Sequence, residues 1–146
     1  MKITDILIIT HDQFGESAIN AVRMIAGHYG HLYAIGLCEG QDPAEFGSKI
    51  DEVLATFDHP EQVLVLVDFF GGTPANQILR LLTDYPVKAI SGFNLPLVLD
   101  AYVRLSCGSL EPGLFSEMID QAKGSITDLN QLHAAFKTMQ AESTDF

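Results

Sequence analysis

The sequence predicts an α/β fold: a doubly wound, mostly parallel sheet of four or five strands in the order 2-1-3-4, with helices on both faces. Two observations lead there. Short Ile- and Val-rich runs alternate along the chain with stretches of helical periodicity, the pattern of strand–helix–strand units with right-handed crossovers. Two of those runs, Ile6-Leu7-Ile8-Ile9 and Val63-Leu64-Val65-Leu66-Val67, are apolar without alternation, as suits strands covered on both faces. In this order they are central neighbours, and the chain reverses direction across the sheet between them. Ligands and chemistry collect in the crevice at the carboxyl ends of such a pair.

The elements follow in turn. Strand 1 ends at Thr10. The helix after it runs from Phe14 to Tyr29, with Ala18, Ile19, Val22, Ile25 and Ala26 on one face and Gly30 ending it. Leu32–Leu37 reads as strand 2. Asp42 is the N-cap of the second helix and Pro43 its first residue; Phe46, Ile50, Val53, Leu54 and Phe57 form its buried stripe. Gln62–Val67 is strand 3, Pro74–Leu82 the third helix, Val87–Ile90 strand 4 and Leu95–Leu105 the fourth helix. Leu114–Ala122 reads as a fifth helix, Gly124–Thr127 as a short last strand and Leu129–Met139 as a terminal helix. Residues 1–146 form one domain in this reading, with 128–146 an atypical helical extension and a frayed tail over Glu142–Phe146.

Composition narrows the function. Hydrophobic residues at 47% and charged residues at 18% call for a folded core and exclude disorder. A net charge of −11 argues against a nucleic-acid partner, which needs clustered Lys and Arg. The acid excess serves either solubility or the steering of a basic protein partner. No apolar run approaches the roughly 20 residues that span a bilayer, and no leader of cationic and apolar stretches opens the chain. The expectation is a soluble, cytoplasmic protein without membrane insertion. Cys38 and Cys107 make no disulfide framework, and Cys38 reads as a buried thiol in a strand. No Cys/His cluster has zinc spacing, so neither a metal nor a cofactor is expected.

Strand 1 delivers His11 to the crevice and strand 3 delivers Asp68. A histidine that donates one ring proton to a carboxylate has a fixed tautomer, and its other nitrogen keeps a nucleophilic lone pair. After Asp68 comes Phe69-Phe70-Gly71-Gly72-Thr73-Pro74-Ala75-Asn76. Here Thr73 can N-cap the next helix with Pro74 at its first position. Gly71 and Gly72 can turn free N–H groups toward the crevice, and the helix start favours an anion. A lone histidine after a strand is more often structural, and a Gly-Gly-Thr-Pro turn alone more often just caps a helix. Together at adjacent strand ends they supply a nucleophile and donors for phosphoryl oxygens, or a site for a carboxylate. Phe14, Phe69 and Phe70 offer either an apolar docking rim or core residues. His28, His31, His59 and His133 read as surface or capping residues; Arg80 and Arg104 either approach the site or, as is commoner, solvate helix faces. Asn94-Leu95-Pro96 follows strand 4 at the same sheet edge and either shapes the crevice or, more simply, starts the fourth helix.

On Ile8-Ile9-Thr10-His11, on Val65 through Asn76 and on Ser91-Gly92-Phe93-Asn94-Leu95-Pro96-Leu97-Val98, the chain resembles the enzyme IIA proteins of the mannose family of the bacterial phosphoenolpyruvate-dependent sugar phosphotransferase system. The likeness extends to the neighbourhood of Ser125. It implies a phosphorylated histidine at His11, an orienting aspartate at Asp68 and a phosphate-cradling turn at Gly71, Gly72 and Thr73. It implies the phosphohistidine form of HPr, the general carrier, as donor and an enzyme IIB as acceptor. It further implies a cytoplasmic homodimer that exchanges a C-terminal strand, for which Gly124–Thr127 is the candidate. The family usually carries Gly after its active histidine, where this chain has Asp12; a carboxylate there either weakens the nucleophile by favouring the protonated ring or caps the first helix and faces solvent. Two alternatives stand beside this reading: the related phosphotransferase subunit of a dihydroxyacetone kinase, and a non-catalytic flavodoxin-like ligand-binding or regulatory module.

Overall fold

The strands β1 (Asp5–His11), β2 (Leu32–Leu37), β3 (Val63–Val67) and β4 (Lys88–Ser91) form one parallel sheet in the order β2-β1-β3-β4. This is a computed structural model, and it describes residues 1–143. Between and after the strands run α1 (Phe14–Ala26), α2 (Pro43–Leu54), α3 (Thr73–Leu81), α4 (Leu95–Ser106), α5 (Phe115–Gly124) and α6 (Leu129–Ser143). The fold class and strand order are those the sequence predicts.

Alternation along the two central strands builds two cores. Ile6, Ile8, Leu64 and Leu66 face one side, where they pack with α1, α4 and α5 through Ile19, Val22, Val98, Ala101, Tyr102 and Met118. Leu7, Ile9, Val63, Val65 and Val67 face the other and meet Phe46, Ile50 and Leu54 of α2 and Ile78 of α3. Every residue of β3 is buried, so the continuous apolar run has its cause in helices on both faces. The edge strands β2 and β4 are only partly covered. Register pairs Ile9 with Val67, so the residues that follow these two leave the sheet at the same edge.

Several boundaries differ from expectation. The first helix ends at Gly27, not Gly30. Gly27 takes φ 89°, and its N–H donates to the Arg23 carbonyl at 2.9 Å. The buried Tyr102 hydroxyl donates to the Gly27 carbonyl at 2.7 Å and also bonds Tyr29, fixing the loop where periodicity would have continued the helix. Ile25 and Ala26 are accordingly exposed, not part of the stripe. Gly72 rather than Thr73 is the N-cap of α3, and Thr73 is its first residue. Cys38 is exposed, just past the edge strand β2. Gly124–Thr127 forms no strand: Gly124 closes α5, and Ile126 is 81% exposed. Ser125 and the Asn94 side chain both bond the Ala122 carbonyl at that helix end. The terminal helix is longer than expected and reaches Ser143, with none of its residues buried. Glu142 and Ser143 are therefore helical rather than frayed, and the rest of the expected tail, residues 144–146, lies outside the described residues. No helix among the described residues is long and apolar enough to cross a membrane.

Candidate functional site

His11 is the last residue of β1 and Asp68 the first after β3. The shared sheet edge brings them into contact at two points. Asp68 Oδ2 lies 2.8 Å from His11 Nδ1 and accepts the His11 backbone N–H at 2.9 Å. Its other oxygen accepts the Phe69 N–H at 3.0 Å. The carboxylate is nearly enclosed, with its side chain 8% exposed, whereas 43% of the His11 side chain is open. A carboxylate only accepts, so the shared proton belongs on Nδ1 and the lone pair on Nε2. The site is an open shelf, which suits access by a macromolecule more than enclosure of a small ligand.

The turn after Asp68 closes on the ring. A β-carbon built on Gly72 would stand 2.9 Å from His11 Cε1, so glycine is required there by close approach. Gly71 has φ 98°, a left-handed conformation that favours glycine. The first helical bond of α3 runs from the Asn76 N–H to the Gly72 carbonyl at 3.0 Å. Pro74 has no N–H, so the Thr73 and Ala75 N–H groups are left without intrahelical acceptors. With the positive end of the helix dipole they make the start of α3 receptive to an anion beside the His11 ring.

The three phenylalanines are all exposed, which decides against a core role. Each makes a different contact. The Phe69 ring stacks on His11, with centroids 5.2 Å apart and planes 22° from parallel. Phe14 stacks instead on Phe93 at 5.3 Å. Phe70 borders an apolar recess with Ile78, Leu79 and Ser91 at the β4 edge. Arg80 bonds Gln77, and Arg104 pairs with Asp100 at 2.9 Å, so neither guanidinium serves the site. His28, His31, His59 and His133 are exposed. Asn94 caps α4 by accepting the Leu97 N–H at 3.0 Å.

Asp12 neither caps α1, whose N-cap is Gln13 without a side-chain bond, nor is it buried. Asp12 is exposed and borders a recess with Gln13, Glu16, Gly36 and Cys38 on the β2 side.

Three positioning features escaped the sequence reading. Thr10 is fully buried; its hydroxyl donates to the His11 carbonyl at 3.0 Å and accepts the Gly15 N–H at 2.9 Å, tying the end of β1 to the first turn of α1. Gly36 of β2 leaves room for the Asp12 carbonyl, which would lie 1.9 Å from any β-carbon at that position. Phe93 supports Phe14. Thr10 and Phe93 sit inside the motifs, but nothing in their spacing tells which way a side chain turns. Among the described residues no group of three or more His, Cys, Asp or Glu side chains could hold a metal ion.

A doubly wound sheet with an exposed histidine tied to an aspartate at its carboxyl edge defines a class of α/β site, and comparison with known proteins assigns the family. The family described as "PTS system fructose IIA component" matches residues 5–112. The chain belongs to this family, the IIA components of the sugar phosphotransferase system. It is 29% identical over 96 residues to the mannose-specific EIIAB component of Escherichia coli K12, and 29% identical over 96 residues to the fructose-specific EIIA component of Bacillus subtilis 168. Each match covers 65% of this chain, but 30% of the first protein and 66% of the second. The chain thus spans less than two thirds of either relative. The crystal structure of phosphotransferase system component EIIA from Streptococcus agalactiae superposes with a TM-score of 0.75 at 25% identity, covering 87% of this chain and 98% of that one.

Proposed function

We propose that the chain is a phosphoryl carrier that takes a phosphoryl group from the phosphohistidine form of HPr on His11 and passes it to an enzyme IIB. The observation that carries this reading is the His11 Nδ1–Asp68 Oδ2 contact of 2.8 Å, with the ring edge against Gly72 at the start of α3. The Nε2 lone pair attacks phosphorus in line. The bond from phosphorus to the donor ring nitrogen breaks, and its electron pair returns to the donor imidazole. Asp68 keeps the proton on Nδ1 and balances the positive charge the ring then bears. The N–H groups of the turn, with Thr73 at the first position of α3, receive the phosphoryl oxygens. The reverse sequence delivers the group to the acceptor. The donor is already a phosphoramidate, so the reaction needs neither metal nor cofactor.

Phe14, Phe69 and Phe70 supply apolar area near the histidine for docking, and the acid excess suits a donor with a basic face. The protein works in the cytoplasm as a homodimer, residues 1–146 being one enzyme IIA-type domain. Replacing His11 by Ala should abolish uptake of labelled phosphate from phosphoenolpyruvate in the presence of enzyme I and HPr. Label retained by that variant refutes the assignment.

A further inference from the structure

The His11 ring is bounded on three sides. Asp68 holds Nδ1, the Phe69 ring covers one face, and the Gly72 backbone closes the Cε1 edge. The Asp68 bond at Nδ1 restrains χ2, but χ2 has broad minima in histidine, so one bond still leaves the ring plane room to rock about the favoured angle. A flat face at stacking distance narrows that rocking further. Phe69 can hold its place although it is half exposed, because Gly72 also backs it: the same built β-carbon would lie 2.9 Å from Phe69 Cζ and 3.1 Å from Cε1. Its ring is thus set by the same backbone that sets the histidine.

The contact also changes in strength along the reaction. With a proton retained on Nδ1 and a phosphoryl group on Nε2, the imidazole carries a formal positive charge. The face of an aromatic ring attracts a cation within about 6 Å, and the Phe69 centroid lies at 5.2 Å. The resting neutral ring gains no such attraction. The stack therefore favours the charged, phosphoryl-bearing ring over the free one, the kind of differential contact that raises a rate instead of tightening all states alike.

We infer that Phe69 is a positioning residue, acting on the His11 ring and on the stability of its phosphorylated form, and in this it differs from Phe14 and Phe70, neither of which stacks on His11. The inference rests on the reading of His11 as the phosphoryl acceptor. Its test compares Phe69→Leu, which keeps apolar area, with Phe69→Tyr, which keeps the aromatic face, and takes His11→Ala as control. Four quantities are measured: kcat and KM, from the rate of phosphate uptake against phospho-HPr concentration, the lifetime of the isolated phosphoprotein, and the melting temperature. Phe69→Leu should lower kcat about 2- to 5-fold and shorten the phosphohistidine lifetime by a similar factor. Its KM and melting temperature should stay close to those of the parent, and Phe69→Tyr should retain all four. If Phe69→Leu matches the parent in kcat and lifetime, or if its whole loss falls on KM, Phe69 acts through docking alone and the inference is wrong. Label on His11→Ala would overturn the acceptor reading itself, whatever the Phe69 variants do.

Discussion

Asp12 stands where the family usually has glycine, and its backbone shows why glycine suits the position. Its φ is 50°, in the left-handed region that costs side-chain-bearing residues roughly 1 kcal/mol, less for Asp than for most. The N–H of Asp12 is committed to the Leu37 carbonyl at 2.8 Å, so the conformation cannot relax without breaking the seam to β2. Asp12 is exposed beside the β2-side recess, so this chain keeps an unfavoured backbone with its added charge in solvent. Asp12→Gly should therefore leave stability within about 0.5 kcal/mol of the parent, because relief of the left-handed backbone is offset by glycine's greater unfolded freedom, and leave the rate of phosphate uptake nearly unchanged. A melting temperature well below the parent's, or a large change in rate, would contradict this placement of the side chain.

Strand β2 contributes to the site through a residue with no side chain. Gly36 lies opposite Thr10 in the β1–β2 register, and the Asp12 carbonyl fills the space a β-carbon would need. The obstructing atoms are backbone and cannot swing aside. Gly36→Ala should cost at least 1–3 kcal/mol, roughly, and displace the loop that follows His11; a melting temperature equal to the parent's would show that the loop is looser than it looks. The central strands are legible in the sequence because continuous apolar runs have few other uses, and Leu32–Leu37 is legible as the apolar stretch between Gly30 and the helix start at Asp42-Pro43. The meeting of His11 and Asp68 followed from strand order alone. Gly36, Thr10 and the end of α1 were not legible. Each depends on a contact between segments distant in sequence: the Asp12 carbonyl, the Gly15 N–H and the Tyr102 hydroxyl respectively. The expected last strand failed for the complementary reason. Apolar character at Ile126 does not make a ladder unless a neighbouring strand supplies one, and in this chain the segment serves the end of α5.

Across the molecule, 19 acidic residues against 8 basic give a net charge of −11, while the residues that surround His11 are mainly aromatic and small. Such a field acts at long range on encounter more than on the final contacts. The rate of transfer from a donor with a basic face should fall by about tenfold or more between low salt and 0.5 M salt, roughly, as screening shortens the field. Rates indifferent to salt would mean that the charge serves solubility alone.

The account depends most on which nitrogen is free. Asp68 occupies Nδ1, so the phosphoryl group must form on Nε2 of His11. Phosphorus and nitrogen NMR of the protein phosphorylated through HPr reads the ring position directly. One phosphohistidine, substituted at Nε2 and coupled to His11, is the result expected here; substitution at Nδ1, or at another residue, would contradict the role given to the His11–Asp68 pair.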